Sequence, residues 1–107
     1  MKKDNLALSK FKMDAVKAKR IVALCVESGK VIFVAHAIQR MRQRSLTDVA
    51  VLNCLRQGRI VEGPAMDPSN MWRFTMMRDV GAVAISVVAS IHWEVEKQDH
   101  VIVVTAF

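Results

Sequence analysis

The sequence predicts an α+β domain: an antiparallel sheet of about four to five strands, with an N-terminal helix and a helix pair packed on one side of it. Three observations lead there. Apolar residues recur at alternating spacings of three and four through residues 5–28, the period of an amphipathic helix. From Met71 the pattern switches to a period of two, that of strands with one buried face. Short turn signals join those strands in sequence, which makes chain neighbours antiparallel partners.

At 107 residues, the chain is expected to be one domain, 1–107, with residues 1–29 as a helical extension and 30–107 as the core. An apolar content of 52% suffices for that core. A net charge of +6 points to polyanionic partners: nucleic acid or an acidic protein segment first, an anionic membrane surface after them. Cys25 and Cys54 sit inside apolar helical runs and read as reduced core thiols, not as a disulfide framework. Met1-Lys2-Lys3 is followed by no apolar run of signal-peptide length. The longest apolar stretch, residues 82–91, is too short to span a bilayer. A cytoplasmic protein with no membrane association is expected.

The first helix carries Leu8, Phe11, Ala15, Ala18, Val22 and Cys25 as its inward stripe, with Lys10, Lys12, Lys17, Lys19 and Arg20 on the other side. Ser28-Gly29 stops it, the glycine being suited to a left-handed position. Residues 31–35 form a short, wholly apolar strand. A second helix follows to about Gln43, turning Ala37, Ile38 and Met41 inward. Ser45 or Thr47 caps a third, which turns Val49, Leu52 and Leu55 inward and ends at Gly58. A strand starts at Arg59 and stops at Gly63-Pro64, and residues 65–70 make a loop. Residues 71–78 and 82–91 form a hairpin turning at Asp79-Val80-Gly81, His92 to His100 is a polar connection or a second hairpin end, and residues 101–107 are the last strand.

The chemistry concentrates in HAIQRMRQR. At helical pitch His36, Arg40 and Arg44 stack at i, i+4 and i+8 on one face. Like charges so spaced cost an isolated helix about 0.2–0.5 kcal/mol, so carboxylates or an anionic ligand must offset them. RNA cleavage without a metal needs a base for the 2′-hydroxyl, an acid for the leaving oxygen and cations on the phosphorane. Histidine suits either proton role, and the planar fork of arginine suits the phosphate oxygens. Arg73 and Arg78 on the hairpin can add substrate contacts. The competing reading makes His36 a backbone-bonded joint and pairs Arg40 and Arg44 with Asp48, Glu62 or Asp79. The scattered His36, His92 and His100 and the isolated cysteines suggest no metal set, and no glycine-rich loop suggests a phosphate-bearing cofactor.

The run HAIQRMRQRSLTDVAVLNCLRQGRIVEG resembles the HA…RM…R-(I/L)-(S/T)…DV…L…G-I-(I/V)-E signature of domain-of-unknown-function family 4258. The VIVVTAF ending is similar to that family's closing strand. The likeness covers roughly residues 31–107 and leaves the first helix outside. It implies kinship with the small RelE/ParE/BrnT-like toxins of bacterial toxin–antitoxin pairs, commonly ribonucleases that block translation and are masked by an antitoxin. Carried over by position, the motif's histidine is His36 and its arginines are Arg40 and Arg44. The threonine of its last strand is Thr105, which joins Arg73 and Arg78 as an expected RNA contact. After Arg44 the chain has Ser45-Leu46 where the family often has Gly-Ile, and it has no tyrosine to act as base or stacking platform. The expectation is therefore a metal-independent, cofactor-free ribonuclease toxin with a cognate antitoxin, and possible self-association. The alternative is a non-catalytic basic module that holds nucleic acid or an acidic protein.

Overall fold

A computed structural model describes residues 13–92 and 100–107. The elements in chain order are α1 (Ala15–Glu27), β1 (Val31–Phe33), α2 (Ala35–Gln43), α3 (Asp48–Gln57), β2 (Arg59–Met66), β3 (Met71–Val80), β4 (Val83–His92) and β5 (Val101–Ala106). The α+β class and the expected order of elements both hold.

Each helix is bounded by the chemistry its sequence offers. The Asp14 carboxylate accepts from the Lys17 amide at 2.8 Å and starts α1. Thr47 does the same for α3, accepting from the Ala50 amide at 3.1 Å. The stripe of α1 buries Ala18, Ile21, Val22, Cys25 and Val26, whereas Ala15 is exposed. Leu8, Phe11 and the expected start at residue 5 lie outside the described residues. In α2, Ala37 and Met41 are buried and Ile38 is exposed; in α3, Val51, Cys54 and Leu55 are buried and Val49 is 62% exposed. The stripe of α2 is thus narrower than expected, whereas that of α3 is rotated, with Val51 and Cys54 inside, Leu52 partly buried and Val49 outside. Val49 lies two positions, about 200° of rotation, from Val51, so it points outward.

The strands form one sheet in the order β1-β5-β4-β3-β2. Pairs β2–β3, β3–β4 and β4–β5 are antiparallel, but β1 runs parallel to β5, with Val31 opposite Val101 and Phe33 opposite Val103. The sheet is mixed, which corrects the all-antiparallel expectation. Pairing each strand with its chain neighbour leaves β1, flanked by helices, without a partner. A parallel partner reached through a long crossover supplies it.

Two boundaries also move. Gly63-Pro64 does not end β2, because the strand passes through a cis peptide there to Met66, on a sheet edge where proline costs no ladder hydrogen bond. The hairpin turns at Gly81-Ala82, since Asp79 and Val80 still pair with Ala84 and Val83.

Alternation divides the sheet into two unlike faces. Phe74 and Met76, with Ala89 and Val87 opposite them, join Ile91, Val101, Val103 and Ala106 in one core with the three helices. The other face carries the row Glu62–Thr75–Val88–Thr105 across four strands, and no described helix covers it. Thr105 belongs to that row because β5 bulges: Val103 and Thr105 stand opposite the consecutive residues Ala89 and Val88.

Candidate functional site

The basic row stands on α2. This helix begins at Val34 with no side-chain cap, has no acid in its first turn, and holds Arg40 and Arg42 in its last. Cations at a helix C-terminus face its negative dipole end, worth about 0.3–1 kcal/mol each. Part of the arginine content therefore serves the helix itself. Ala37 and Met41 face the core and anchor α2 beside β5; His36 lies about 100° round the helix from Ala37 and Arg40 about 60°, on the flank of the buried face. His36 and Arg44 are exposed, Arg40 is half-buried, and Arg44 is the C-cap. At 1.5 Å per residue, successive members stand about 6 Å apart along the axis, which suits adjacent phosphates of a flexible strand.

The intramolecular ion pairs expected under the competing reading do not form among the described residues. Asp79 pairs with Arg59 at 3.4 Å, and Glu62 accepts from the Thr75 hydroxyl at 3.3 Å. No described residue is hydrogen-bonded or ion-paired to the side chain of His36, Arg40 or Arg44. Between Glu27 and Asp48 the chain holds no carboxylate at all, while it carries Lys30, Arg40, Arg42 and Arg44. Among the described residues, the row is a cationic surface with no carboxylate paired to it.

The other expected contacts do not gather around it. Arg73 and Thr105 are on the open face, the side of the sheet away from α2. Arg78, five residues from Arg73 on one strand, points to the opposite face. There it is half-buried near Cys54, whose thiolate its charge favours. The three residues therefore do not form a single surface. Sequence reasoning also missed a groove on the open face around Glu62, Asp67 and Arg73. A Gly-Pro pair inside a strand pattern was its available signal, marking a bulge instead of an end.

The cysteines belong to the core, as expected. Cys54 Sγ donates to the carbonyls of Met76 and Ile85, both at 3.6 Å. Burial pushes its pKa up from 9.0 to about 11, against a smaller opposing effect of Arg78. Burial also raises the Cys25 thiol, opposed by Lys30. Neither is an activated nucleophile.

A family model described as Domain of unknown function (DUF4258) matches residues 33–107. No curated protein and no solved structure matches the chain. Among the described residues, no helix is long and apolar enough to cross a membrane.

Proposed function

Because this chain belongs to the DUF4258 family through residues 33–107, we propose that it is the toxin of a bacterial toxin–antitoxin pair, a metal-independent ribonuclease that blocks translation by cutting RNA in the cytoplasm. The observation that carries this reading is the row on α2, which no carboxylate among the described residues pairs. Three side chains suited to phosphate and proton chemistry share one accessible face, within a stretch that contains no acid. Arg40 and Arg44 hold the phosphate and the charge that develops on it as the 2′-oxygen attacks phosphorus and the 5′-oxygen leaves. His36 exchanges a proton with one of those two oxygens, and solvent water exchanges the other proton with the second. Arg73 and Thr105, on the other face, contact flanking nucleotides, and Arg78 serves the fold. The helix pair packed on a five-stranded sheet supports the likeness to RelE/ParE/BrnT-like toxins. The cognate antitoxin is a protein whose carboxylates pair with the row.

One observation favours a second reading, a basic module that binds RNA or an acidic protein without cutting. A general base is usually oriented by another group, and no described residue holds the His36 imidazole. Incubating the purified protein with single-stranded RNA separates the two, since both give salt-sensitive binding and only the first gives cut ends. RNA left intact by a folded, RNA-binding protein removes the ribonuclease and leaves the module.

A further inference from the structure

The open face carries a groove of about 340 Å³ between β2 and β3. It exists because β2 bulges. Glu62 stands opposite Thr75 and Ala65 opposite Arg73, so Gly63 and Pro64 occupy the space that Phe74 alone spans on β3. Gly63 takes a φ of +82°, and a Cβ there would come within 2.6 Å of the Arg73 carbonyl oxygen. Bulges of this kind re-aim side chains, and they cluster beside functional sites.

Here the bulge aims opposite charges into one recess. The exposed Glu62 accepts from Thr75 through Oε1, which leaves Oε2 without a described partner. Arg73 Nη2 lies 3.4 Å from Asp67 Oδ2, and the Asp67 side chain is only 6% exposed. Asp67 is itself fixed, accepting from the amides of Ser69 at 2.9 Å and Met71 at 3.0 Å and from the Ser90 hydroxyl at 3.5 Å. One guanidinium nitrogen is therefore anchored, and the remaining donors are available to a ligand. Val88 adds an apolar wall.

The balance of two carboxylates to one guanidinium disfavours a phosphate and favours a neutral, flat ligand with paired donors beside an acceptor. Guanine is such a ligand. Its N1–H and N2 amino group suit the Glu62 carboxylate, its O6 suits Arg73, and one of its faces suits Val88. Adenine, cytosine and uracil offer no adjacent donor pair beside a carbonyl. Diagonal neighbours such as Glu62 and Arg73 stand about 7–8 Å apart, within reach of both ends of one base edge. We propose that this groove is a base-binding subsite selective for guanine, which rests on the RNA reading for its natural substrate.

The test is titration of guanosine, adenosine, cytidine and uridine into ¹⁵N-labelled protein, followed by amide shifts. Guanosine should move Glu62, Gly63, Ala65, Arg73 and Thr75, and the other three should bind at least about tenfold more weakly. Inosine, which lacks the N2 amino group, should fall towards them. Glu62→Gln should abolish the preference, and because Glu62 is exposed the core survives its replacement. Arg73→Lys should weaken guanosine in parallel. Equal binding of the four nucleosides, shifts confined to another surface, or a preference that survives Glu62→Gln overturns the assignment. So does stronger binding of N-acetyl-arginine amide at these residues, which would make the groove a pocket for a basic side chain. No RNA is cut in this assay. Guanosine binding by a protein that cleaves nothing removes only the ribonuclease, and cleavage without guanosine preference removes only the subsite.

Discussion

The backbone N–H of Leu46 donates to the carbonyl of Met41 at 2.8 Å and closes α2 around Ser45, which takes a left-handed φ of 55°. The Ser45 amide donates to the Arg42 carbonyl at 3.2 Å, completing a Schellman end. The same pair of bonds closes α1, from Lys30 to Cys25 at 2.8 Å and from Gly29 to Val26 at 3.2 Å, with Gly29 at 69°. Met41 is buried and Leu46 packs against the same core, so the turn that follows Arg44 is pinned from inside. The two ends are alike except that one puts a Cβ where glycine is preferred.

Ser45→Gly should therefore stabilise the protein by about 1 kcal/mol, since the left-handed region costs an L-residue roughly that much. The thermal midpoint should rise by about 4–8 °C for a domain of this size. Gly29→Ala should shift it down by a comparable amount. Midpoints that stay put in both variants would contradict the helix ends as described.

Cys54 makes stability depend on alkaline pH. Below about pH 9 its thiol is neutral in the folded and unfolded states alike. Between 9 and about 11 the unfolded chain loses the proton while the folded protein keeps it, so stability falls as pH rises. The loss across that window is on the order of 1–3 kcal/mol. Chemical denaturation at a series of pH values should show a shallower decline in Cys54→Ala, whatever that variant's stability at neutral pH. Parallel curves would rule out a titrating thiol as the cause.

Binding to single-stranded RNA should weaken steeply with salt. Arg40→Ala and Arg44→Ala should each flatten the log–log slope by about 0.7, the contribution of one phosphate contact. Lys19→Ala, on α1 outside residues 33–107, should leave it nearly unchanged. If all three variants flatten the slope equally, charge acts diffusely and α2 is no special surface.

His36→Ala should slow cleavage by roughly 10²–10⁴, the usual worth of positioned proton transfer. RNA affinity should change little, because a neutral imidazole adds little to phosphate binding. Arg44→Lys keeps the charge but loses the fork, so it should impair cleavage more than binding. Circular dichroism must show both variants folded, and both should relieve growth arrest on induction. A folded His36→Ala protein of undiminished toxicity would leave the histidine no catalytic role.

The residues that were legible in advance are those whose position follows from local periodicity. The helical stripe through Ala18, Val22 and Cys25, the cap narrowed to Ser45 or Thr47, the stop at Gly29 and the hairpin from Met71 all depend on neighbours within a turn or a ladder step. The row of His36, Arg40 and Arg44 was legible for the same reason. What was missed depends on partners distant in sequence. The parallel pairing of Val31 with Val101 leaves no mark near either residue. The bulge that moves Thr105 to the open face shifts register by a single residue that composition does not betray. Arg73 and Arg78 looked like neighbours on one hairpin, but strand alternation separates them onto opposite faces. The groove required knowing that Gly63-Pro64 interrupts a register and does not end a strand.

The place of β5 inside the sheet has a consequence for synthesis. It follows every other described element in sequence, yet it lies between β1 and β4. As the chain leaves the ribosome, β2, β3 and β4 can zip together in turn, while the edges that will flank β5 stay bare. An unpaired strand edge is a template for other chains. The nascent protein thus passes through an interval in which β4 can recruit a strand from elsewhere, and only arrival of residues 101–106 ends it.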